Sequence, residues 1–302
     1  MSRSRHPHLN ALGVSHRPAS VTDASALHNA LADIDVVYHL AGLVSRDPKD
    51  AERMRQVHVV GTETTLRVAS EVGVRRVIYA SSTGTFGCSR DPKQIPHEDG
   101  PDASELVGRW AYYRTKLEAE RLALASRPQD EMEVIVLNPS LLLGPGDFEG
   151  SSTTDVQDFL EGRLPAVARG GLNFVDVRDV ADAFVAAADA GRPGVRHLLG
   201  ALNLSVADLM GRLAQITGRS GPRFSPPAGI QVGASVWAAR LARLVGREPG
   251  LDPATAAMAQ LFWYASGQRA RQELGFQSRD PNETLADTVA FLRNGGKYQR
   301  GA

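Results

Sequence analysis

Tyr112 and Lys116 lie four positions apart in the segment WAYYRTKLEAE, residues 110–120, and could together transfer a proton. The spacing is uncommon here, since the chain has only four lysines among 34 basic residues. On a helix, positions i and i+4 share a face and are about 5–6 Å apart. A neighbouring ammonium favours the phenolate and lowers the pKa of a phenol from about 10. We therefore expect Lys116 to lower the pKa of Tyr112, which could then act as a general acid or base.

The neighbouring Tyr113 lacks this potential because its i+4 partner is Leu117. An exposed ring that packs on the stem of Lys116 is the alternative interpretation for Tyr112. The spacing alone does not decide between the two, so the surrounding segments must be considered.

Hydroxyl-bearing and small residues, ASSTGTFG at 80–87, follow an apolar, strand-like segment. In open α/β sheets, ligands bind outside the carboxyl ends of the strands. Ser82 could therefore hydrogen-bond a substrate oxygen while Tyr112 moves the proton, although such residues are also common in plain turns. HLAGLVS at 39–45 and NPS at 138–140 end two further strands, so three strand ends are expected to converge on one site.

The elements that must position these residues alternate between strands and helices. Three segments are apolar on both faces, as in a buried parallel sheet: DVVYHLA at 35–41, RRVIYASS at 75–82 and EVIVLNPS at 133–140. A helical pattern over about 48–72 ends at Gly73, and a second helix begins near Trp110. Because parallel strands need helical crossovers, these segments predict a doubly wound, Rossmann-type parallel sheet of the α/β class.

The C-terminal part of the sequence predicts a smaller, mostly helical substrate lobe. Residues 171–189 indicate a short strand, a turn and a helix capped near Asp179, and another helix begins at Ser205. Residues 230–295 are mostly helical in pattern. The apolar helix at 232–246 is expected to pack in this lobe, with binding to a membrane surface as the weaker alternative.

Composition limits the classes of protein to which the chain can belong. The 302 residues are expected to form one domain at 1–170 and, at 171–302, the end of the sheet with an interleaved substrate lobe. A net charge of zero argues against nucleic acid or a membrane as a partner. The single cysteine, Cys88, is expected to be a buried thiol and fits a cytoplasmic location. The eight histidines show no metal-ligand spacing, so no metal is predicted.

Four carboxylates outside the predicted site are expected to be structural or solvated. Asp176 and Asp179 lie at the start of a helical pattern, where capping is the favoured role. Glu98 and Asp99 lie in a proline-bounded loop and are expected to face solvent.

These segments resemble the extended short-chain dehydrogenase/reductases of the NAD-dependent epimerase/dehydratase type, and most closely their dihydroflavonol-reductase-like branch. The resemblance covers nearly the whole chain in family order. It is carried by DVVYHLAG, VHVVGTETTLRVASEVGVRRVIYASS, AYYRTKLEAER, VLNPSLLLGPGD, LNFVDVRDVADA, LLGALNLSVADLMGRLAQITG and RARQELGF.

The resemblance implies an active site of Ser82, Tyr112 and Lys116, in which the lysine also bonds the nicotinamide ribose. It implies NAD or NADP as the cofactor and a small molecule as the substrate. Further residues would line the cofactor, and two would face the substrate. They are Ser20, Val21, Leu40, Ala41, Gly42 and Pro139 for the cofactor, and Thr83 and Phe86 for the substrate.

The sequence departs from the family pattern around the cofactor. It has no Gly-x-x-Gly-x-x-Gly phosphate loop, and GPGDFEG at 144–150 lies too late in the chain and carries acidic residues that would repel a pyrophosphate. Residues 12–23 resemble the third strand of the family and the loop after it. We therefore expect the first two strands to be missing from this chain, as if Met1 were an internal start. The resemblance thus implies that residues 1–170 are a dinucleotide-binding domain that is incomplete at its N-terminus.

Three single positions also depart from the family. Ser20, His58 and Asn138 replace an aspartate, an asparagine and an arginine. His58 could be a catalytic base, but a buried helix histidine that faces the sheet is the favoured interpretation.

Two classes of function remain open. The first is an NAD(P)-dependent oxidoreductase that transfers a hydride between nicotinamide and a carbonyl or alcohol carbon, with a nucleotide-sugar epimerase or dehydratase as the alternative enzyme. The second is a non-catalytic dinucleotide-binding protein, which the missing glycine loop favours. Arg3 and Arg5 lie near the expected end of the second strand, which slightly favours NADP over NAD as the cofactor. A homodimer is left open.

Overall fold

The structure is a computed structural model that describes residues 12–126, 132–164, 166–222, 224–244 and 253–296, with the backbone alone for 238–244. Arg3 and Arg5 therefore lie outside the described residues. The helices are α1 Ala24–Leu31, α2 Ala51–Arg55, α3 Gly61–Glu71, α4 Ser104–Val107, α5 Ala111–Ala125, α6 Thr154–Glu161, α7 Val177–Ala186, α8 Val206–Thr217, α9 Ala228–Leu244, α10 Pro253–Met258, α11 Arg269–Leu274 and α12 Pro281–Arg293. The strands are β1 Val36–His39, β2 Arg76–Ala80, β3 Glu133–Pro139, β4 Leu141–Leu143, β5 Gly171–Asp176, β6 Arg196–Leu199, β7 Leu202–Ser205 and β8 Phe262–Trp263.

The first sheet consists of four parallel strands in the order β1–β2–β3–β6. Successive side chains of a strand point to opposite faces, and both faces of this sheet are covered by apolar clusters. Val77 and Tyr79 pack against α1, α3 and α5, whereas Ile78 and Ile135 pack against α7 and α11. Helices on both faces of a parallel sheet confirm the doubly wound α/β fold that the apolar segments predicted.

A π-helical turn interrupts the long helix that the sequence predicted over 48–72. The segment starts with a 3-10 turn at Pro48–Asp50, and the π turn at Gln56–Val60 separates α2 from α3. Such wide turns are rare and are frequently found at functional sites. The predicted stop is confirmed, because α3 ends at Glu71 and Gly73 has a positive φ of 79°.

The second sheet belongs to the C-terminal part of the chain. Strand β5 pairs in parallel with β4 and β8 and antiparallel with β7. Its core is shared with α6, α8 and α12, through buried side chains that include Phe159, Leu213 and Leu285. Among the described residues after 230, the only strand is the two-residue β8, in agreement with the mostly helical pattern.

The structure describes side chains of the predicted helix 232–246 only as far as Trp237, so the packing of this helix in the lobe stays a prediction. Ile230 is 61% exposed and Trp237 is 63% exposed, so the lobe does not bury these two side chains. Residues 245 and 246 of the predicted helix lie outside the described residues. No described helix is long and apolar enough to cross a lipid bilayer.

Residues 12–23, which resemble a strand and its loop, do not form a strand in the structure. They form turns and extended chain, with one bridge residue at Pro18. A proline lacks the N–H that a ladder needs, and Gly13 has a positive φ of 72°, so both residues oppose a regular strand.

The cap of α7 is Asp176, not Asp179. The Asp176 carboxylate accepts a hydrogen bond from the backbone N–H of Arg178, because the helix begins at Val177. Asp179 is buried and accepts bonds from the backbone N–H and Nε of Arg279, both at 2.8 Å.

Glu98 was expected to face solvent, and this prediction was wrong. Its side chain is buried and accepts bonds from the backbone N–H groups of Leu198, Gln268 and Arg269 at 3.0, 3.2 and 2.9 Å. The neighbouring Asp99 is exposed and pairs with the Arg269 guanidinium. Glu98 thus joins the loop before α4 to β6 and to the start of α11.

We predict that Glu98→Ala destabilises the protein, because three backbone donors would lose their buried acceptor. The free energy of unfolding should fall by roughly 2–5 kcal/mol, measured by urea denaturation. Glu149→Ala, at an exposed loop position, is the matched control and should change stability by less than about 0.5 kcal/mol. Equal stability of the two variants would contradict the anchoring role of Glu98.

Candidate active site

Tyr112 and Lys116 lie on the first turns of α5, which begins at Ala111 as the sequence predicted. The Lys116 side chain is buried, and its Nζ donates a hydrogen bond of 2.9 Å to the carbonyl oxygen of Ala80. Ala80 is the last residue of β2, so this bond joins the helix to the strand end that leads to Ser82. The structure therefore brings Tyr112, Lys116 and Ser82 into one place.

Ser82 begins a short 3-10 turn at Thr83–Thr85, and residues 82–85 are called here the Ser82 turn. The Ser82 hydroxyl accepts a bond of 3.2 Å from the backbone N–H of Gly84, and the Ser82 side chain acts on the pKa of Tyr112. A serine and a tyrosine near the end of a parallel strand can bind and protonate one oxygen atom of a ligand.

The pKa of Tyr112 shifts in the opposite direction from the prediction. Burial raises the pKa of Tyr112 above its ordinary value of 10, and the hydrogen bond with Ser82 opposes this rise. Burial also lowers the pKa of Lys116 to about 8, with the nearby Glu120 carboxylate opposing the fall. The expected effect of the ammonium on the phenol was wrong for this structure because desolvation of both groups is the larger influence.

His58 lies in the π turn and links two other segments. Its Nε2 accepts a bond of 2.9 Å from the backbone N–H of Leu43, and its Nδ1 lies 2.8 Å from Thr115 Oγ1. Nε2 therefore carries no proton, and the neutral ring donates through Nδ1. Burial and the Lys116 charge lower the pKa of His58 to about 3, so the ring stays neutral at pH 7. The prediction that His58 is a buried histidine is confirmed, but its ring contacts the loop after β1 and helix α5 instead of facing the sheet.

Residues 40–43 follow β1 at the same edge of the sheet. Leu40 is 61% exposed, and the loop is held to the π turn through Leu43 and His58. Gly42 has no side chain to fill the space beside Lys116, and a Cβ built on it would lie 4.0 Å from Nζ. The loop thus leaves room for a ligand next to the buried ammonium.

The remaining residues implied by the resemblance lie at different depths. Thr83 is 4% exposed and donates its hydroxyl to the Asn138 carbonyl at 2.8 Å, and Phe86 is 1% exposed. Pro139 ends β3. Val21 packs on Gly61, where an added Cβ would come within 2.5 Å of its Cγ2. Ser20 bonds the Thr22 hydroxyl at 2.9 Å.

Aromatic side chains beside the Ser82 turn form a wall that the sequence did not reveal. The Tyr113 ring stacks on Trp263 at 4.7 Å and meets Tyr112 edge to face at 5.1 Å. Trp110 lies 6.3 Å from Trp263. Because Trp263 comes from β8 of the second sheet, this wall joins the C-terminal part of the chain to the start of α5.

Glu120 is a further residue of the site that the sequence analysis missed. It is 1% exposed and contacts Ser81, Thr85, Asn138 and Arg196. Its position, four residues after Lys116 and eight after Tyr112, puts it on the same helical face, and that spacing was the signal available in the sequence.

These residues fit the nicotinamide end of a dinucleotide. The Lys116 ammonium has three N–H donors, of which Ala80 takes one, and Gly42 leaves space at its side. Lys116 could therefore donate to ribose hydroxyls. The sequence has no glycine-rich loop for the pyrophosphate, so the fit concerns this end alone.

The parallel sheet covered by helices on both faces defines a Rossmann-type fold, and comparisons with known proteins agree. The NAD dependent epimerase/dehydratase family model matches residues 2–200, and the chain belongs to this family. The family includes NAD(P)-dependent reductases, epimerases and dehydratases, so the chain is an NAD(P)-dependent oxidoreductase or epimerase/dehydratase that acts on a small molecule.

Individual relatives and solved structures support the same assignment. A putative dihydroflavonol 4-reductase of Synechocystis sp. is 28% identical over 97% of this chain and 86% of the relative. Cinnamoyl-CoA reductase 1 of Arabidopsis thaliana is 31% identical over 69% of this chain and 60% of the relative. The crystal structure of gox2253 has a TM-score of 0.82 at 27% identity, covering 99% of this chain and 91% of that one. MoeE5 in complex with UDP-glucose and NAD shares the fold, with a TM-score of 0.68 at 23% identity over 92% and 85% of the two chains.

We predict that Gly84→Ala disturbs the Ser82 turn. A Cβ at this position would lie 2.3 Å from Tyr113 Cε1, so the ring would have to leave its stack on Trp263. The free energy of unfolding should fall by about 1–3 kcal/mol, and the near-ultraviolet circular dichroism of the aromatic wall should change.

Gly211→Ala is the matched control for this substitution. Gly211 lies within α8 with nothing within 4 Å of an added Cβ, so alanine should stabilise the helix by up to about 1 kcal/mol. An unchanged spectrum and stability in Gly84→Ala would contradict the close packing of Tyr113 on the Ser82 turn.

Proposed function

We propose that the chain is a reductase in which Ser82, Tyr112 and Lys116 act on the carbonyl or alcohol group of a substrate. The observation that carries the proposal is the buried Lys116 ammonium, whose Nζ donates a 2.9 Å bond to the carbonyl oxygen of Ala80 and so holds the start of α5 at the strand end that leads to Ser82. When bound at Lys116, a reduced nicotinamide would supply the hydride for reduction of the carbonyl carbon. The Tyr112 hydroxyl gives its proton to the carbonyl oxygen, and Ser82 donates a hydrogen bond to that oxygen.

In this proposal Lys116 makes Tyr112 an effective acid although burial raises the tyrosine's pKa. Proton transfer leaves a phenolate, and the ammonium stabilises that charge at the moment it forms. Leu40, Ala41, Gly42 and Pro139 would line the nicotinamide end, and Ser20 and Val21 would lie toward the adenine end. NAD and NADP both remain compatible with these residues.

We infer that the substrate is apolar or ring-bearing. The aromatic wall of Trp110, Tyr113 and Trp263 gives the Ser82 turn a flat apolar neighbour, which favours a planar or ring-containing molecule. The printed names of the relatives include dihydroflavonol and cinnamoyl-CoA reductases. Thr83 and Phe86 are buried in this structure, so we propose that they support the Ser82 turn instead of contacting the substrate.

A nucleotide-sugar epimerase or dehydratase is the second candidate, and the match to the family model favours it. A screen of ketones and nucleotide sugars with NADH and NADPH would separate the two. Net consumption of reduced nicotinamide with ketones supports the reductase, whereas conversion of a nucleotide sugar without net consumption supports the epimerase or dehydratase. A homodimer stays a prediction, which light scattering can test.

We predict that Tyr112→Phe lowers kcat by about 10²–10⁴-fold, because the substrate oxygen would lose its proton donor. The Kd for the cofactor should change little, since the ring is retained. Tyr38→Phe, at an exposed position on β1, serves as the matched control and should keep wild-type turnover. Steady-state kinetics and calorimetric cofactor titration give both quantities. Wild-type turnover in Tyr112→Phe would reject the proposed proton transfer.

We predict an alkaline loss of activity from Lys116. Burial lowers its pKa to about 8, so the ammonium is present below that pH and is lost above it. The kcat/KM for ketone reduction should therefore fall as pH rises through about 8. Lys116→Arg keeps its charge at high pH, so its profile should lack this fall even where its activity is lower. If kcat/KM of Lys116→Arg falls in the same way at high pH, a group other than Lys116 causes that fall.

A further inference from the structure

Glu120 is a buried carboxylate on the helix that carries the proposed catalytic pair. Tyr112, Lys116 and Glu120 occupy positions i, i+4 and i+8 of α5, so they share one helical face. The Glu120 side chain is 1% exposed. A carboxylate removed from water needs partners for its oxygens, and three of those partners surround Ser82.

The Oε2 atom of Glu120 contacts both ends of the Ser82 turn. Ser81 Oγ lies at 2.5 Å and Thr85 Oγ1 at 2.8 Å, so the residue before Ser82 and the last residue of the turn meet the same oxygen. Asn138 Nδ2 lies at 2.5 Å and also donates to the Ser82 carbonyl at 3.2 Å. The turn is thus held to α5 through one oxygen atom.

The Oε1 atom of Glu120 pairs with Arg196 of β6. Arg196 Nε donates at 2.8 Å, and its Nη1 donates to the Gly100 carbonyl at 3.0 Å. The guanidinium also lies 5.3 Å from the Phe86 ring. Because the pair is almost entirely buried, removal of the carboxylate would leave the arginine charge without its partner.

We propose that Glu120 is a positioning residue that fixes the Ser82 turn against α5 and so sets the contact between Ser82 and Tyr112. The inference rests on the proposed function, since it concerns the same site. It adds a residue that touches neither the substrate nor the cofactor but determines where the catalytic serine lies. Placement matters because an error of about 1 Å in the position of a reacting group can cost about 10²-fold in rate.

Glu120 also acts on Lys116 through its charge. The carboxylate favours the ammonium and opposes the fall in the pKa of Lys116 that burial causes. His39 of β1, His58 of the π turn and Tyr79 of β2 also face the ammonium. Burial lowers the pKa of both histidines to about 3 and raises that of Tyr79, so all three are neutral at pH 7.

The first test compares Glu120→Gln, Glu120→Asp and the control Glu118→Gln, which makes the same change at a partly exposed position of α5. We expect Glu120→Gln to lower kcat by about 10–100-fold while the Kd for the cofactor changes by less than about threefold. Glu118→Gln should match the wild type. Wild-type kcat in Glu120→Gln would overturn the proposal.

The second test measures Lys116 directly and does not depend on turnover. The chain has only four lysines, so ¹³Cε-labelled lysine gives four signals, and Lys116→Arg identifies that of Lys116. In Glu120→Gln the pKa of Lys116 should move down by about one pH unit or more from its wild-type value of about 8. Glu120→Asp keeps the charge and should restore most of this pKa but not the full kcat. An unmoved titration in Glu120→Gln would show that the carboxylate does not act on Lys116.

The variant Ser81→Ala distinguishes the positioning of the Ser82 turn from the effect of the Glu120 charge on Lys116. It also tests the positioning role if Glu120→Gln fails to fold. This variant removes one contact of the turn and leaves the carboxylate, so kcat should fall while the Lys116 titration stays at its wild-type pH. Wild-type kcat in Ser81→Ala would count against the positioning role. If the wild-type protein turns over no substrate but Glu120→Gln still lowers the pKa of Lys116, the proposed function is wrong, whereas the coupling between the two residues is supported.

Discussion

The hydrogen bond from Lys116 Nζ to the Ala80 carbonyl, 2.9 Å long, is the contact on which the arrangement of the site depends. It joins the first turns of α5 to the end of β2, and the chain reaches Ser82 two residues later. The register of β2 with its parallel neighbour β3 fixes where the strand ends along the sheet. The apolar face of α5 fixes the distance of the helix from the sheet. Tyr112 and Ser82 meet because both constraints hold together.

Desolvation governs the ionisable groups of this site more than attraction between charges does. It lowers the pKa of Lys116 to about 8 and those of His39 and His58 to about 3, and it raises that of Tyr112. At neutral pH, Lys116 is consequently the charged group among these four. A single cation beside neutral rings suits a site in which negative charge develops on a phenol oxygen or a substrate oxygen.

The sequence predicted the parts of this structure that depend on local pattern. The apolar strands, the helix that begins after Trp110 and the shared face of Tyr112 and Lys116 all follow from periodicity of two or 3.6 residues. The direction of the Tyr112 pKa, the burial of Glu98 and the contacts of Glu120 could not be predicted in this way. Each depends on groups 30 or more positions away that only the folded chain brings close. These groups are Ser82 for Tyr112, Gln268 for Glu98 and Arg196 for Glu120.

The π turn at Gln56–Val60 lets the two parts of one helix contact different neighbours. It accommodates one residue more than a regular turn, which offsets the two parts of the helix by about 100° around the axis. Within the turn, His58 reaches toward Leu43 and Thr115, whereas beyond it Leu66 and Val68 enter the apolar core. A single extra residue thereby lets one helix direct polar contacts to the loop after β1 and to α5 while its apolar side chains pack in the core, and the irregular backbone is confined to five positions.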